Sequence, residues 1–264
     1  MIAVVAADSV TKLDGVAGKL LVAGSHGGII AAYLGAKAGV HALVLNDAGV
    51  GKDRAGIAGL VYLEAIGMAA AAVDCMSARI GDGADMLARG VISHVNAYAA
   101  LCGVVAGQAC RDAAERMRSA SPPRSGPPPY AEGRWRLAGG PPEVWALDSV
   151  GKLEPEDAGR VLIIGSHGAL LGGRRESALG VDAVAAVCND AGVGADRIGI
   201  THLPVLAARG IPAATVDCMS ARIGDGRSIW QSGLISHMNA LASQAGVARG
   251  MNVPAFVAAV TSGR

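Results

Sequence analysis

Eleven residues, Val73-Asp74-Cys75-Met76-Ser77-Ala78-Arg79-Ile80-Gly81-Asp82-Gly83, return letter for letter from Val216 to Gly226. A run of this length returning unchanged marks an internal repeat, and it constrains the fold more than any other feature of the chain. Shorter runs repeat around it in the same order. Gly24-Ser25-His26-Gly27 returns as Gly165-Ser166-His167-Gly168, and the six residues from Asn46 to Gly51 return from Asn189 to Gly194. Ile92-Ser93-His94 followed by Asn96 matches Ile235-Ser236-His237 followed by Asn239. Asp8-Ser9-Val10 and Lys12-Leu13 come back as Asp148-Ser149-Val150 and Lys152-Leu153. The chain reads as one α/β unit written twice, so its function is sought in what the two copies share.

The first copy alternates short apolar runs with helical stretches. Residues 2–6, 20–23, 42–45 and 68–73 read as strands; 29–38, 55–66 and 85–101 read as helices. Strands that are apolar throughout, separated by helices, imply parallel sheets covered on both faces. The expected fold is α/β: two internally duplicated three-layer α/β/α units, Rossmann-like or flavodoxin-like, with mainly parallel sheets related by a pseudo-twofold. The boundaries follow from composition. The first repeat spans 1–118, a Pro/Gly-rich linker carrying Trp135 spans 119–142, and the second repeat spans 143–264. Strands are expected at 144–147, 161–164, 183–187 and 213–216, with a helix over 229–245.

Composition excludes several function classes. The chain is 52% hydrophobic but only 3% aromatic, with a net charge of +1 and no basic run. Stacking platforms and basic patches are the means of holding nucleic acid, so none is expected as a partner. No apolar stretch reaches the ~20 residues of a membrane span, so no membrane is expected. Five cysteines without a C-x-x-C pair, and a start without a charged leader and cleavage site, set a cytoplasmic expectation without disulfides. A homo-oligomer is left open.

Each repeated motif follows the carboxyl end of a strand, the edge where ligands bind in open α/β sheets. His26 and His167, between glycines, are the expected acid/base groups, each oriented by a carboxylate from the neighbouring strand, Asp47 or Asp190. That pairing would raise the histidine pKa toward neutrality. Ser25, Ser166, Asn46, Asn189, Asp74, Asp217, Ser77, Ser220, Arg79 and Arg222 are the expected substrate-binding set. Arginine supplies the fork for an anionic end, its alternative being an internal pair with Asp82 or Asp225. Cys75 and Cys218 are either nucleophiles or small packing residues. Ser93, His94 and Asn96, with Ser236, His237 and Asn239, are placed on a helix wall that supports the loops by hydrogen bonding. Asp53 and Asp196 read as helix caps. No cofactor is expected. A Mg²⁺-like ion on Asp47 and Asp74 is the one open exception.

Two fused α/β units with a cysteine in each resemble, in layout alone, the aspartate/glutamate racemases, where two cysteines face the substrate from opposite sides. That layout implies a cofactor-independent racemase or isomerase using Cys75 and Cys218. The residues themselves point first to a hydrolase of a compact amide, imide or carboxylate-bearing molecule, with glycine-loop amides stabilising an oxyanion. A non-catalytic small-ligand-binding module is the third expectation.

Overall fold

A computed structural model describes residues 2–11 and 13–262; Lys12, one of the repeated residues, lies outside them. The first unit runs β1 (Val4–Ala7), β2 (Leu20–His26), α1 (Ile29–Lys37), β3 (Ala42–Asn46), a 3-10 segment (Lys52–Ile57), α2 (Ala58–Glu64), β4 (Ala70–Val73), α3 (Gly83–Arg89), β5 (Ile92–Val95), α4 (Ala97–Leu101) and α5 (Cys110–Met117). The second runs β6 (Arg134–Ala138), β7 (Val144–Leu147), β8 (Val161–His167), β9 (Ala185–Asn189), a 3-10 segment (Ala195–Ile200), α6 (His202–Ala208), β10 (Ala213–Val216), α7 (Gly226–Ser232), β11 (Ile235–Met238), α8 (Ala240–Gln244) and α9 (Val253–Thr261). The result is two mostly parallel α/β sheets in Rossmann/flavodoxin-like units, as the apolar strands predict. Among the described residues no helix is long and apolar enough to cross a membrane.

Strand order is sequential, β1-β2-β3-β4-β5 and β11-β10-β9-β8-β7-β6, parallel except at β5, β11 and β6. The period-2 alternation of β2 divides its side chains between two cores. Leu21 joins Leu43, Leu45, Leu60 and Leu63 beneath α1 and α2, while Leu20 and Val22 join Val44, Met86 and Met117 beneath α3 and α5.

Several expectations are corrected. The helix predicted over 85–101 is α3, a strand and α4, because Gly90 stops α3 and the Val-Ile-Ser-His-Val run pairs antiparallel with β4. Ser93 and His94 therefore lie on an edge strand, not a helix, and Asn96 is the N-cap of α4. The second unit repeats this with β11 and the α8 cap Asn239. His26 and His167 close their strands rather than sitting in loops. The linker is not wholly irregular. Arg134–Ala138 adds β6 to the outer edge of β7, and Trp135 docks in it under the Arg227 guanidinium, 4.0 Å from the ring centroid. Asp53 and Asp196 cap nothing, since both take positive φ inside the 3-10 segments. The units also differ. Where the first has α1, the second has two short 3-10 turns, Leu171–Gly173 and Arg175–Ser177.

The units meet through the repeated loops. Cys75 and Cys218 accept, through their carbonyls, the backbone N–H of Ala195 at 2.7 Å and of Lys52 at 2.8 Å. Reciprocal ion pairs join Arg222 to Asp53 at 3.0 Å and Arg79 to Asp196 at 2.8 Å. Beneath them Ala48, Ile80, Ala169, Ala191, Ile198 and Ile223 form one small apolar cluster drawn from both units. At its centre Gly49 faces Gly192, both with positive φ, and a Cβ on Gly49 would stand 3.0 Å from Gly192 Cα and 3.2 Å from Cys218 Sγ. Gly49→Ala is therefore expected to cost about 2–4 kcal/mol in denaturant unfolding, combining backbone strain with a clash. Gly15→Ala supplies the comparison. Its φ is +61° with open space around it, so only strain applies, about 1–2 kcal/mol. Equal costs for the two variants would remove the argument for close contact.

Candidate functional site

The ends of β2 and β8 turn inward. The β2–β3 register shifts between Val22 and His26, and β8–β9 shifts likewise between Ile163 and His167. A local irregularity of this kind re-aims side chains, and it lets consecutive residues of each strand, Ser25 with His26 and Ser166 with His167, line one cavity between the units. That cavity is about 80 Å³, its apolar lining including Ile30, Leu34, Ile164 and Leu206. Gln, Lys and Arg are absent from its described lining.

Two further groups reach it that the repeated motifs do not contain. His202, the first residue of α6, is 9% exposed, and its buried Nε2 has no partner among the described residues. Its counterpart in the first unit is Gly59, where a Cβ would strike Ala32 of α1 at 2.7 Å. Because the second unit replaces α1 by 3-10 turns, the imidazole occupies the freed space. Glu132 comes from the linker just before β6, and its Oε1 is also buried without a partner. The sequence signal for His202 was a mismatch within the repeat, Gly against His. Glu132 had none.

The three imidazoles are uncharged at neutral pH. Burial pulls His26 down to about 3, with nearby His167 adding to the shift. Burial likewise holds His167 at about 4 and His202 at about 3, the latter also feeling His167. No carboxylate orients His26 or His167, so the expected upward shift is corrected to a downward one. His26 Nδ1 instead accepts the Gly28 N–H at 3.1 Å, and His167 Nδ1 accepts the Ala169 N–H at 3.3 Å. With Nδ1 an acceptor, each neutral ring carries its proton on Nε2. Among the described residues neither Nε2–H has a partner, and both are donors available to a ligand. Ser25 and Ser166 accept the Val10 and Val150 N–H groups, which leaves each hydroxyl proton free to donate.

The other predicted residues lie elsewhere. Asp47 Oδ1 accepts from the N–H groups of Gly49 and Cys75 at 3.0 Å, and Asp190 does the same for Gly192 and Cys218. Asn46 and Asn189 are fully buried and spend both ends on loop backbone. Asn96 and Asn239 are saturated in the same way. Ser77 and Ser220 lock the turns at Asp74 and Asp217 to Val91 and Leu234. Arg79 and Arg222 are committed to Asp82, Asp85, Asp196, Asp53 and Asp225. These side chains shape and join the loops rather than line the cavity. Ser93 and His94 bond each other at the sheet edge, and Ser236 bonds Thr215.

Asp47, Asp74 and Cys75 bring their ligand atoms within 4.8 Å of one another, as do Asp190, Asp217 and Cys218, and each group could hold a metal ion. The donors are two carboxylates and a sulfur, which suits a borderline ion better than Mg²⁺, a cation that favours an all-oxygen shell. Burial first, and then the neighbouring carboxylates, push both thiols up to about 12. In the folded state Cys102, the one half-buried cysteine, is expected to react with iodoacetamide at neutral pH well before the other four. Rapid labelling of Cys75 or Cys218 would instead favour the racemase layout.

No family model, curated protein or solved structure matches the chain.

Proposed function

We propose that the chain hydrolyses a compact, uncharged amide in the cavity between its two units. The observation that supports this reading is the convergence of two equivalent, neutral imidazoles from separate units on one cavity. The Nε2–H groups of His26 and His167 donate to the carbonyl oxygen and to the oxyanion that forms from it, the role of a preorganised electrophile. Neutral imidazoles suit that role because they give up no proton to the oxygen. Water adds its oxygen to the carbonyl carbon. The C–N bond then breaks, its electron pair leaving with nitrogen. The proton released by water passes by way of the Glu132 carboxylate to that nitrogen, giving a carboxylic acid and ammonia; the acid's O–H proton then passes to ammonia, leaving a carboxylate and an ammonium ion.

Charge narrows the earlier expectation of an anionic substrate. A carboxylate-bearing molecule would enter a mostly apolar space beside Glu132 with no cation among the described lining residues to pair it, and an unpaired buried charge is costly. The test is ammonia release from formamide, acetamide and urea by the wild-type protein and by His26→Asn. No release from any of them would refute the reading.

A further inference from the structure

We propose that the substrate's nitrogen is read by Glu132 and His202, so that the site takes a primary amide or urea of about three to four non-hydrogen atoms. This rests on the hydrolase reading and deepens it.

The cavity is lined by two chemically different kinds of polar group. His26 and His167 are related by the repeat and both present N–H donors, so together they suit a carbonyl oxygen. Glu132 and His202 break the repeat. Glu132 belongs to the linker, which the first unit lacks, and His202 stands where the first unit has Gly59. Both carry a buried polar atom, Oε1 and Nε2, that no described residue satisfies. A buried polar atom without a partner costs about 1–3 kcal/mol, and both of these line the same cavity. A carboxylate oxygen only accepts, so the group that satisfies it must donate an N–H or O–H. A carbonyl flanked by NH₂ meets both kinds of group at once, its oxygen accepting from the imidazoles and its N–H donating to Glu132.

Size sets the rest. A cavity of 150 Å³ holds benzene, six heavy atoms, and a water occupies about 30 Å³ of liquid. About 80 Å³ therefore admits roughly three heavy atoms by the same scaling, the size of formamide, with acetamide and urea about one atom larger. Unit two supplies the space: without a counterpart of α1, its side of the wall is formed by Leu179, Ala186 and Leu206.

Acetone, acetamide, urea and acetate share one shape and size and differ only in hydrogen bonding and charge. Each is titrated into the full-length protein while the histidine ring ¹H–¹⁵N signals are followed. Acetamide and urea are expected to move the His26 and His167 signals and to bind at least about tenfold more tightly than acetone, with acetate weakest. In Glu132→Gln, which keeps the side-chain shape, the preference for acetamide over acetone is expected to fall below about threefold, since a neutral acceptor replaces a charged one. His202→Asn tests the second contact with a smaller loss. Acetone binding as tightly as acetamide, or an unchanged preference in Glu132→Gln, would overturn the inference while leaving a carbonyl site in place. Failure of all four to move the His26 and His167 signals would overturn the hydrolase reading itself.

Discussion

Replacing His26 with Asn is expected to reduce kcat for a compact amide by about 10²–10³, the usual effect of removing one donor from an oxyanion site. Asn is the informative choice. Its side-chain oxygen still accepts the Gly28 N–H, as Nδ1 does at 3.1 Å, so the end of β2 keeps its geometry. What disappears is the Nε2–H. His167→Asn should behave alike, its oxygen taking the place of Nδ1 against Ala169 N–H. Because both rings line a single cavity, either variant alone should be nearly inactive, and the double variant little worse than either, since groups acting on one oxygen are not additive. Two independent sites predict something different: each single variant would retain about half the activity by counting equal sites, and only the double would be inactive. The pH profile separates donor from base. A histidine serving as a general base near neutrality would impose an acidic limb near its ordinary pKa of about 6.5. Rings held at about 3 and about 4 impose none until far lower pH.

Acid should unfold this protein early. His26, His167 and His202 have folded pKa values of about 3, 4 and 3 against about 6.5 in the unfolded chain. Lowered values mean that the unfolded state takes up protons first as pH falls. Stability is therefore at its full value above about pH 6.5 and is lost between there and about pH 4, where the folded state begins to protonate as well. Each proton of difference is worth about 1.4 kcal/mol per pH unit, so three histidines give a slope of up to about 4 kcal/mol per unit. Against a total of about 5–15 kcal/mol, the chain should unfold cooperatively near pH 5. Asp148 and Asp190, raised by burial, take up protons earlier when folded and offset part of the loss in the upper carboxylate range. Denaturant unfolding at pH 7, 6 and 5 measures the slope. His26→Asn should reduce it by about one third, because one of three protons is removed. Stability unchanged down to pH 5 would show that these imidazoles are solvated in the folded protein, and the donor assignment would fall with it.

Much of this protein was determined locally and could be read from its residues alone. The fully apolar runs of β2, β3, β4, β8 and β10 are strands because they are buried on both faces, and burial of that kind leaves its mark within four or five residues. The repeat itself announced two equivalent units. It also singled out Ser25, His26, Ser166 and His167, which do line the cavity. Edge strands were harder. Ile92–Val95 and Ile235–Met238 carry a half-polar pattern that a helix would also permit, and pairing with β4 or β10, tens of residues away, decided them. The linker strand Arg134–Ala138 was hidden for the same reason.

The roles of the repeated polar residues were settled only by tertiary structure. Asp47, Asn46, Ser77 and Arg79 have the chemistry of substrate groups, and nothing in their spacing says whether backbone or ligand will use it. In the folded chain the N–H groups of Gly49 and Cys75 claim Asp47, and Asp196 of the other unit claims Arg79. Their constancy between the two copies reflects a self-complementary contact, which must keep both faces the same. His202 and Glu132 show the reverse case. Neither is repeated, yet both come to the centre, because loss of α1 in the second unit opens a space that only the packed structure creates. Repetition in the sequence specified the interface and the paired imidazoles; departure from repetition, visible only once the units are packed together, brought His202 and Glu132 to the same cavity.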